Sequence, residues 1–530
     1  MKWYTVALSI MATQASAVTF TSTPGQAFAD GMRFVQFYLG LPIAMVILCV
    51  TAVPIFHKLG VFTAYEYLEK RFDAKTRVLT TLIFLVSRGL AAGITIYAPS
   101  LLLSVMLNVN IQITSLVIGG IVIIYTTSGG VKAVNYTDFL QLIIVMAGMS
   151  IAFGMAVYLL PRDVSFADAL SVSAVMGKLN AIDLSLDFSN RYNVWSGLIG
   201  GMFVALAYFG TDQSQVQRYL TGQSITQSRL ALLFNGIAKV PMQFFILLIG
   251  VMVFVFFQFV QPPLIFNPVE MERIKSGEQL EVYEKLEARH QKLFLEKSKA
   301  INEYIDVKHQ ENEQAIQKKK ENLQDLQQQY EAVRKEAAGL GTTQDSGSGS
   351  SDTNYIFLTF VLTYLPAGLV GLIFACVFTA SMSSSSGELS ALATISIIDI
   401  YKRFIKREAS EKHYLVVSRI MMAFWGIYGI FFAQFAGKMG SLVEAVNILG
   451  SLFYGTMLGI FILAFFFKSV NGTAAFISAI IGEIAVFYCF EFTSIAWLWY
   501  NIIGCIVVAG TGVIITRIMK YKDISNSTAS

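Results

Sequence analysis

Between Phe378 and Tyr401 the chain reads FTASMSSSSGELSALATISIIDIY, where Thr379, Ser381 and Ser383 to Ser386 put six hydroxyls into eight positions. Hydroxyls in an apolar segment either pack helices closely or line a pathway, because polar groups are costly in hydrocarbon. Thr379, Ser383 and Ser386 recur at i, i+4 and i+7, which is one face of a helix. Near the N-terminus, ALSIMATQASAVTFTSTPGQAF is interrupted by Thr13, Gln14, Ser16 and Thr19. That pattern predicts a discontinuous membrane helix whose unwound middle exposes main-chain carbonyls. Carbonyls from one segment and hydroxyls from the other would make a neutral, hard-oxygen cage fit for a small cation such as Na+. A soft metal asks for Cys or His, which neither segment supplies at ligand spacing.

Four further polar residues stand out. Arg88, in FLVSRGLAAG, is a cation within an apolar run, expensive unless paired or wetted. Its planar fork suits a carboxylate on a solute, and the plainer alternative is a tie to a helix-end carbonyl. Asp138 of YTDFLQ, with Gln141 one turn on, is either an interfacial cap or part of an ion path. Arg33 lies at the outer edge of a span and can snorkel.

The elements that position these residues follow from composition. The chain has 530 residues, 55% hydrophobic and 14% charged, with mean hydropathy +0.59. Soluble domains carry about 25% charged residues, so this chain lacks the charge to coat a water-facing surface. Its apolar runs of about 20 residues predict an all-α polytopic protein of the lipid bilayer. A net charge of +4 gives no reason to expect a nucleic-acid partner. Cys49, Cys376, Cys489 and Cys505 lie in apolar runs without pairing or metal spacing.

Twelve spans are expected near 3–22, 33–56, 78–107, 112–127, 137–160, 193–212, 229–260, 355–384, 414–437, 441–467, 472–491 and 494–517. Lys58, Lys70, Arg71, Lys75, Arg77, Lys132, Arg218, Arg229, the KRFIKRE run and RIMKYK fall on one side. The positive-inside rule makes that side cytoplasmic, with both termini there. Residues 266–352 differ: Glu, Lys and Gln dominate, with Leu286, Leu293, Ala300 and Val307, then Ile316, Leu323, Tyr330 and Ala337, repeating every seven residues. This predicts a coiled-coil-like arm outside the membrane, one long helix or a hairpin bending near HQEN, then a flexible DSGSGSSD linker. A solvated arm, possible site of a protein partner, is the expectation.

The chain resembles the sodium:solute symporter family, which includes sodium-coupled sugar, proline, iodide, monocarboxylate and sialic acid carriers. The resemblance rests on ATQASAVTF…PGQAF…GM, GVFTAYEYLEKRF, SGGVKAVNYTDFLQ, DQSQVQRYL and ASMSSSSGELSALATISIIDIYKR, in family order over residues 3 to about 403. It implies a LeuT-type fold of two inverted five-span repeats plus peripheral spans 11 and 12. The organisation expected is a transport core over 1–265, the insert 266–352, the rest of the second repeat over 353–467, and peripheral helices over 468–530. It also implies a sodium site: carbonyls of Ala12, Ala15 and Ala380, and hydroxyls of Ser383 and Ser384 in the pattern A-x-x-S-[ST]. Asp138 and Gln141 would serve an ion path or second ion.

For the small organic solute, family positions point to spans 1, 2, 3, 6, 7 and 10, with Tyr208 matching the inner gate; Gln14, Thr19 and Gln36 offer hydrogen bonds there, and Arg88 suits a carboxylate by its own chemistry. Tyr38 and Ala205 stand where sugar carriers have acidic or amide residues, which counts against a hexose. The implied function is sodium-coupled symport of a carboxylate by alternating access in a plasma membrane of bacterial inner-membrane type. A sugar, polyol or amino-acid carrier is the alternative, and a sensor on a transporter scaffold is the alternative of another class. No HExxH, GxSxG or paired intramembrane carboxylates point to an enzyme. Family members usually carry a further span before the broken helix. This chain starts almost at that helix, so either its start is misplaced or the ancillary helix is absent.

Overall fold

In hydrocarbon every backbone N–H and C=O has to bond within its own segment, so each apolar run folds as a helix. The computed structural model describes residues 2–60, 62–310, 313–340 and 352–529, the side chains of 129–139 and 522–530 excepted. Among the described residues, ten helical stretches are long and apolar enough to cross a membrane. One, Ala17–Leu59, holds the second half of span 1 and all of span 2. The others are span 3 (Ala74–Leu107), span 4 (Ile111–Ser128), span 5 (Leu140–Tyr158), span 7 (Ile225–Phe259) and span 8 (Ala367–Ile405). Span 9 (Glu411–Met439), span 10 (Leu442–Phe466), span 11 (Gly472–Phe492) and span 12 (Trp497–Tyr521) complete the set.

Spans 1 and 6 are the interrupted ones. Span 1 runs as Trp3–Gln14 and Ala17–Asp30, and span 6 as Ser196–Gly210 and Gln213–Tyr219. With these counted, the described residues hold helices at each of the twelve expected positions. The two breaks open the first and second sets of five spans, at the same place in each.

Span 8 departs from its expected bounds of 355–384. Apolar composition runs unbroken from Tyr355 onward, but Leu365 is extended and Pro366 precedes the first helical residue, Ala367. Pro disfavours helical backbone in the residue before it. A separate outer helix, Thr353–Tyr364, therefore comes first. The hydroxyl run consequently falls in the middle of span 8.

The insert is a hairpin of two long helices, Leu280–His309 and Glu313–Leu340. Its heptad residues Leu286, Leu293, Ala300, Leu323, Tyr330 and Ala337 are buried. They pack partly on each other and partly on Leu264, Ile265, Val164, Val172 and Val175 of the outer loops. The arm is thus seated on these loops, a contact that the expectation of a solvated arm did not include.

Candidate functional site

The break in span 1 follows from its polar residues. Ser and Thr side chains compete for backbone groups and weaken a helix interior. Ala15 leaves the helical region at φ −84°, ψ 62°, and Ser16 is extended. Ser16 then caps the next helix, its hydroxyl accepting from the Thr19 N–H at 3.4 Å. The Thr19 hydroxyl donates to the Gln14 carbonyl at 3.0 Å, and the Ala15 N–H to the Met11 carbonyl at 2.9 Å. Ala12 and Ala15 lie in this last turn, where the helix's own amides no longer reach every carbonyl.

Span 8 supplies the opposing oxygens. Ser383, Ser384 and Ala380 are all buried. The Ser384 hydroxyl donates its proton to the Ala380 carbonyl at 2.8 Å. A hydroxyl oriented in this way turns oxygen lone pairs away from its own helix, the arrangement a cation needs. Ser384 and Ser16 line one cavity. One turn along, a Cβ on Gly387 would stand 3.7 Å from the Thr13 methyl, so spans 1 and 8 meet here closely. The donor set is neutral oxygen: the described residues hold no cluster of three His, Cys, Asp or Glu able to take a metal.

The cavity measures about 150 Å³ and is walled by spans 1, 2, 3, 6, 7, 8 and 10. Its charged lining is Arg88, Lys239 and Glu388. Arg88 is almost fully committed inside the protein. Its guanidinium donates to Glu388 at 3.0 Å, to the Tyr454 hydroxyl at 2.7 Å, and to Asp212. It also lies 5.4 Å from the centroid of the Tyr208 ring. Asp212 belongs to the break in span 6, where it caps Gln213–Tyr219 by accepting from the Ser214 N–H at 2.8 Å. Arg88 therefore ties spans 3, 6, 8 and 10 together while lining the cavity, with its Nε buried and unpartnered.

Lys239 is different. It is 2% exposed, and among the described residues it has no carboxylate or hydrogen-bond partner. Its ammonium stands 5.7 Å from the centroid of the Tyr38 ring, within cation–π range. Asn235, one turn earlier on the same face of span 7, accepts from the Gln14 amide at 2.8 Å. This places Lys239 beside the break in span 1.

Of the other expected solute residues, Gln14, Thr19 and Tyr208 line the cavity. Tyr208 accepts from the Gln215 amide at 2.8 Å and faces Tyr454 with ring centroids 6.0 Å apart. Gln36 does not line it. It is fully buried, donating to the Tyr192 carbonyl at 2.9 Å and accepting from the Asp183 N–H at 3.0 Å. Both partners belong to the outer loop, so Gln36 fastens that loop. Gln141 is buried on span 5 and lies outside the cavity lining. The side chain of Asp138 lies outside the described residues. Lys239, Glu388 and Asp212 escaped the sequence reading, although the rule that singled out Arg88 applies equally to a Lys in NGIAKVPMQF and a Glu in SSGELS.

Comparison with known proteins bears on this site. The chain is 26% identical over 470 residues to the sodium/iodide cotransporter of Homo sapiens, covering 88% of this chain and 60% of that protein. It is 26% identical over 477 residues to sodium-coupled monocarboxylate transporter 1 of Xenopus laevis, covering 90% and 63%. Against the sodium/sialic acid symporter SiaT of Proteus mirabilis it is 25% identical over 521 residues, covering 95% and 85%. The chain thus spans about three fifths of the length of the first two relatives. A solved Na+-coupled sialic acid symporter, in a substrate-bound outward-open state, superposes with a TM-score of 0.73 at 22% identity. It covers 98% of this chain and 90% of that one, which supports the inverted-repeat fold. The family model described as "Sodium:solute symporter family" matches residues 1–273 and 336–482, and the chain belongs to that family.

Proposed function

We propose that the chain is a sodium-coupled secondary transporter of a small organic anion, working by alternating access. The observation that carries the coupling is the break at Ala15–Ser16 facing the Ser384 hydroxyl across one cavity. A sodium ion held by the carbonyls of Ala12, Ala15 and Ala380 and the hydroxyls of Ser383 and Ser384 would join spans 1 and 8. Ser16 and Ser384 line the cavity, so an ion held beside them would stand next to the solute, and any gain in affinity that one gives the other is returned equally. Lysines and arginines in the loops on one side support a cytoplasmic position for both termini, and the bacterial SiaT relative supports a bacterial inner membrane.

The choice of an anion rests on charge. Arg88 is held by Asp212 and Glu388, whereas Lys239 lines the cavity with no carboxylate partner among the described residues. A monoanion on Lys239, beside the sodium ion, would meet that positive charge in a low-dielectric cavity. A neutral polyhydroxylated solute is the second reading, since Tyr38, Tyr208 and Tyr454 offer three rings to it.

Uptake into proteoliposomes, with small carboxylates, their amides and a sugar series, tests both. Carboxylate uptake driven by an inward sodium gradient is expected. Uptake indifferent to sodium refutes the coupling, and preference for amide or sugar refutes the anion.

A further inference from the structure

We infer that the inserted hairpin is a strap on the outer gate, fastened through Glu331 and Arg334, whose docking sets how readily the transport core opens on that side. The family model matches the chain on either side of 274–335, so the hairpin is an addition to the shared core. Its second helix is fastened at two points one turn apart.

At the first point, Glu331 accepts from Lys178 at 3.2 Å. Lys178 in turn grips the outer end of span 1, donating to the Ala29 carbonyl at 2.6 Å and accepting the Met32 N–H at 2.8 Å. Gly31 between them has φ +70°, a turn that lets the chain double back against Lys178. At the second point, Arg334 donates to Asp352 at 2.8 Å. Asp352 also accepts the Phe266 and Asn267 N–H groups, at 2.5 and 2.9 Å, and so closes the neck of the insert.

Two residues beyond Asp352 lies a latch. The Asn354 side chain accepts from the Ser22 hydroxyl at 2.9 Å and from the Leu442 N–H at 3.1 Å, and donates to the Gly440 carbonyl at 2.9 Å. Ser22 lies on span 1, and Gly440 and Leu442 begin span 10. The Ser441 hydroxyl adds a bond to Gln26 of span 1 at 2.8 Å. Spans 1 and 10 both wall the solute cavity, so Asn354 pins together two elements that have to separate for solute to enter from this side. Both fastenings of the hairpin reach that joint, one through Ala29 and the other through the chain between Asp352 and Asn354. Glu331, Gln327 and Gln328 also wall a second cavity of about 600 Å³ with Asp30, Arg33 and Arg191, at the outer end of span 1.

The inference rests on the alternating-access reading, so its test is made without solute or a sodium gradient. A Val443→Cys reporter on span 10, which lines the solute cavity, is placed in full-length protein whose Cys49, Cys376, Cys489 and Cys505 are replaced by Ala, and is labelled in sealed, oriented proteoliposomes with a membrane-impermeant thiol reagent added on the hairpin's side. Adding Glu331→Gln and Arg334→Gln should speed labelling at least fivefold. In a second variant, Lys178→Cys and Glu331→Cys are first bridged by a bis-thiol reagent whose spacer spans the lost side-chain length and can be cleaved without freeing either thiol. Labelling should then slow, and recover when the spacer is cleaved. Labelling that ignores both loosening and stapling overturns the strap, while leaving sodium coupling to be judged by uptake alone.

Discussion

Replacing Lys239 with Gln separates recognition from stability more cleanly than any other change in the cavity. Lys239 has no carboxylate partner among the described residues, so its loss leaves no internal charge stranded. The thermal midpoint should stay near that of the unmodified protein, or rise slightly, since a buried ammonium carries a desolvation cost. What is lost is one charge-assisted hydrogen bond to the solute, worth about 1.5–3 kcal/mol. At about 1.4 kcal/mol per decade, KM for a carboxylate should rise about 10- to 150-fold with kcat little changed. Its uncharged amide, poorly transported at the start, should change far less. The assay is initial-rate uptake under a fixed sodium gradient, with the carboxylate and amide measured on the same vesicles. Equal losses for the two solutes, or unchanged carboxylate KM, would show that Lys239 does not hold the anion.

Arg88→Gln should act in the opposite way, since it strands Asp212 and Glu388. Breaking a buried pair costs about 3–5 kcal/mol, visible as a lowered unfolding midpoint in detergent, and adding Glu388→Gln should recover part of it. Gly25→Val should impair expression or transport, because a Cβ there would overlap the Thr353 carbonyl oxygen where span 1 meets the outer helix. The hairpin should loosen in acid. Burial, with Arg334 and Lys297 beside it, holds the His290 imidazole down at about 3, and burial followed by Arg334 also holds the Lys297 ammonium well below its usual range. A base whose pKa falls on folding binds fewer protons folded than unfolded. His290's contribution is therefore complete above pH 6.5 and declines toward pH 3, by about 1.4 kcal/mol per unit. Hydrogen-exchange protection over 280–340 should fall accordingly, and His290→Phe, which keeps the stack on Tyr330, should flatten that slope.

Much of the framework could be read from residue order. The twelve traverses follow from hydropathy, and the break in span 1 from Thr13, Gln14, Ser16 and Thr19, because hydroxyls and amides disrupt a helix locally. The heptads marked the hairpin, but its seat on Val164, Val172 and Val175 could not be read, since periodicity shows which face is apolar and not what covers it. Pro366 was a readable signal that the unbroken apolar run around it concealed. Arg88 was singled out, but its pairing inside the protein was not foreseen. Its partners Asp212 and Glu388 lie 124 and 300 residues away, and only the fold brings them together. Gln36 shows the converse: a polar residue facing inward on its helix can still be spent on a loop.

Binding of radiolabelled sodium to purified protein, in the absence of solute, bears most directly on whether spans 1 and 8 hold an ion between them. Saturable binding is expected in the unmodified chain, and Ser383→Ala with Ser384→Ala should abolish it while the unfolding midpoint shifts little. Sodium binding of undiminished affinity in that double variant would contradict the account.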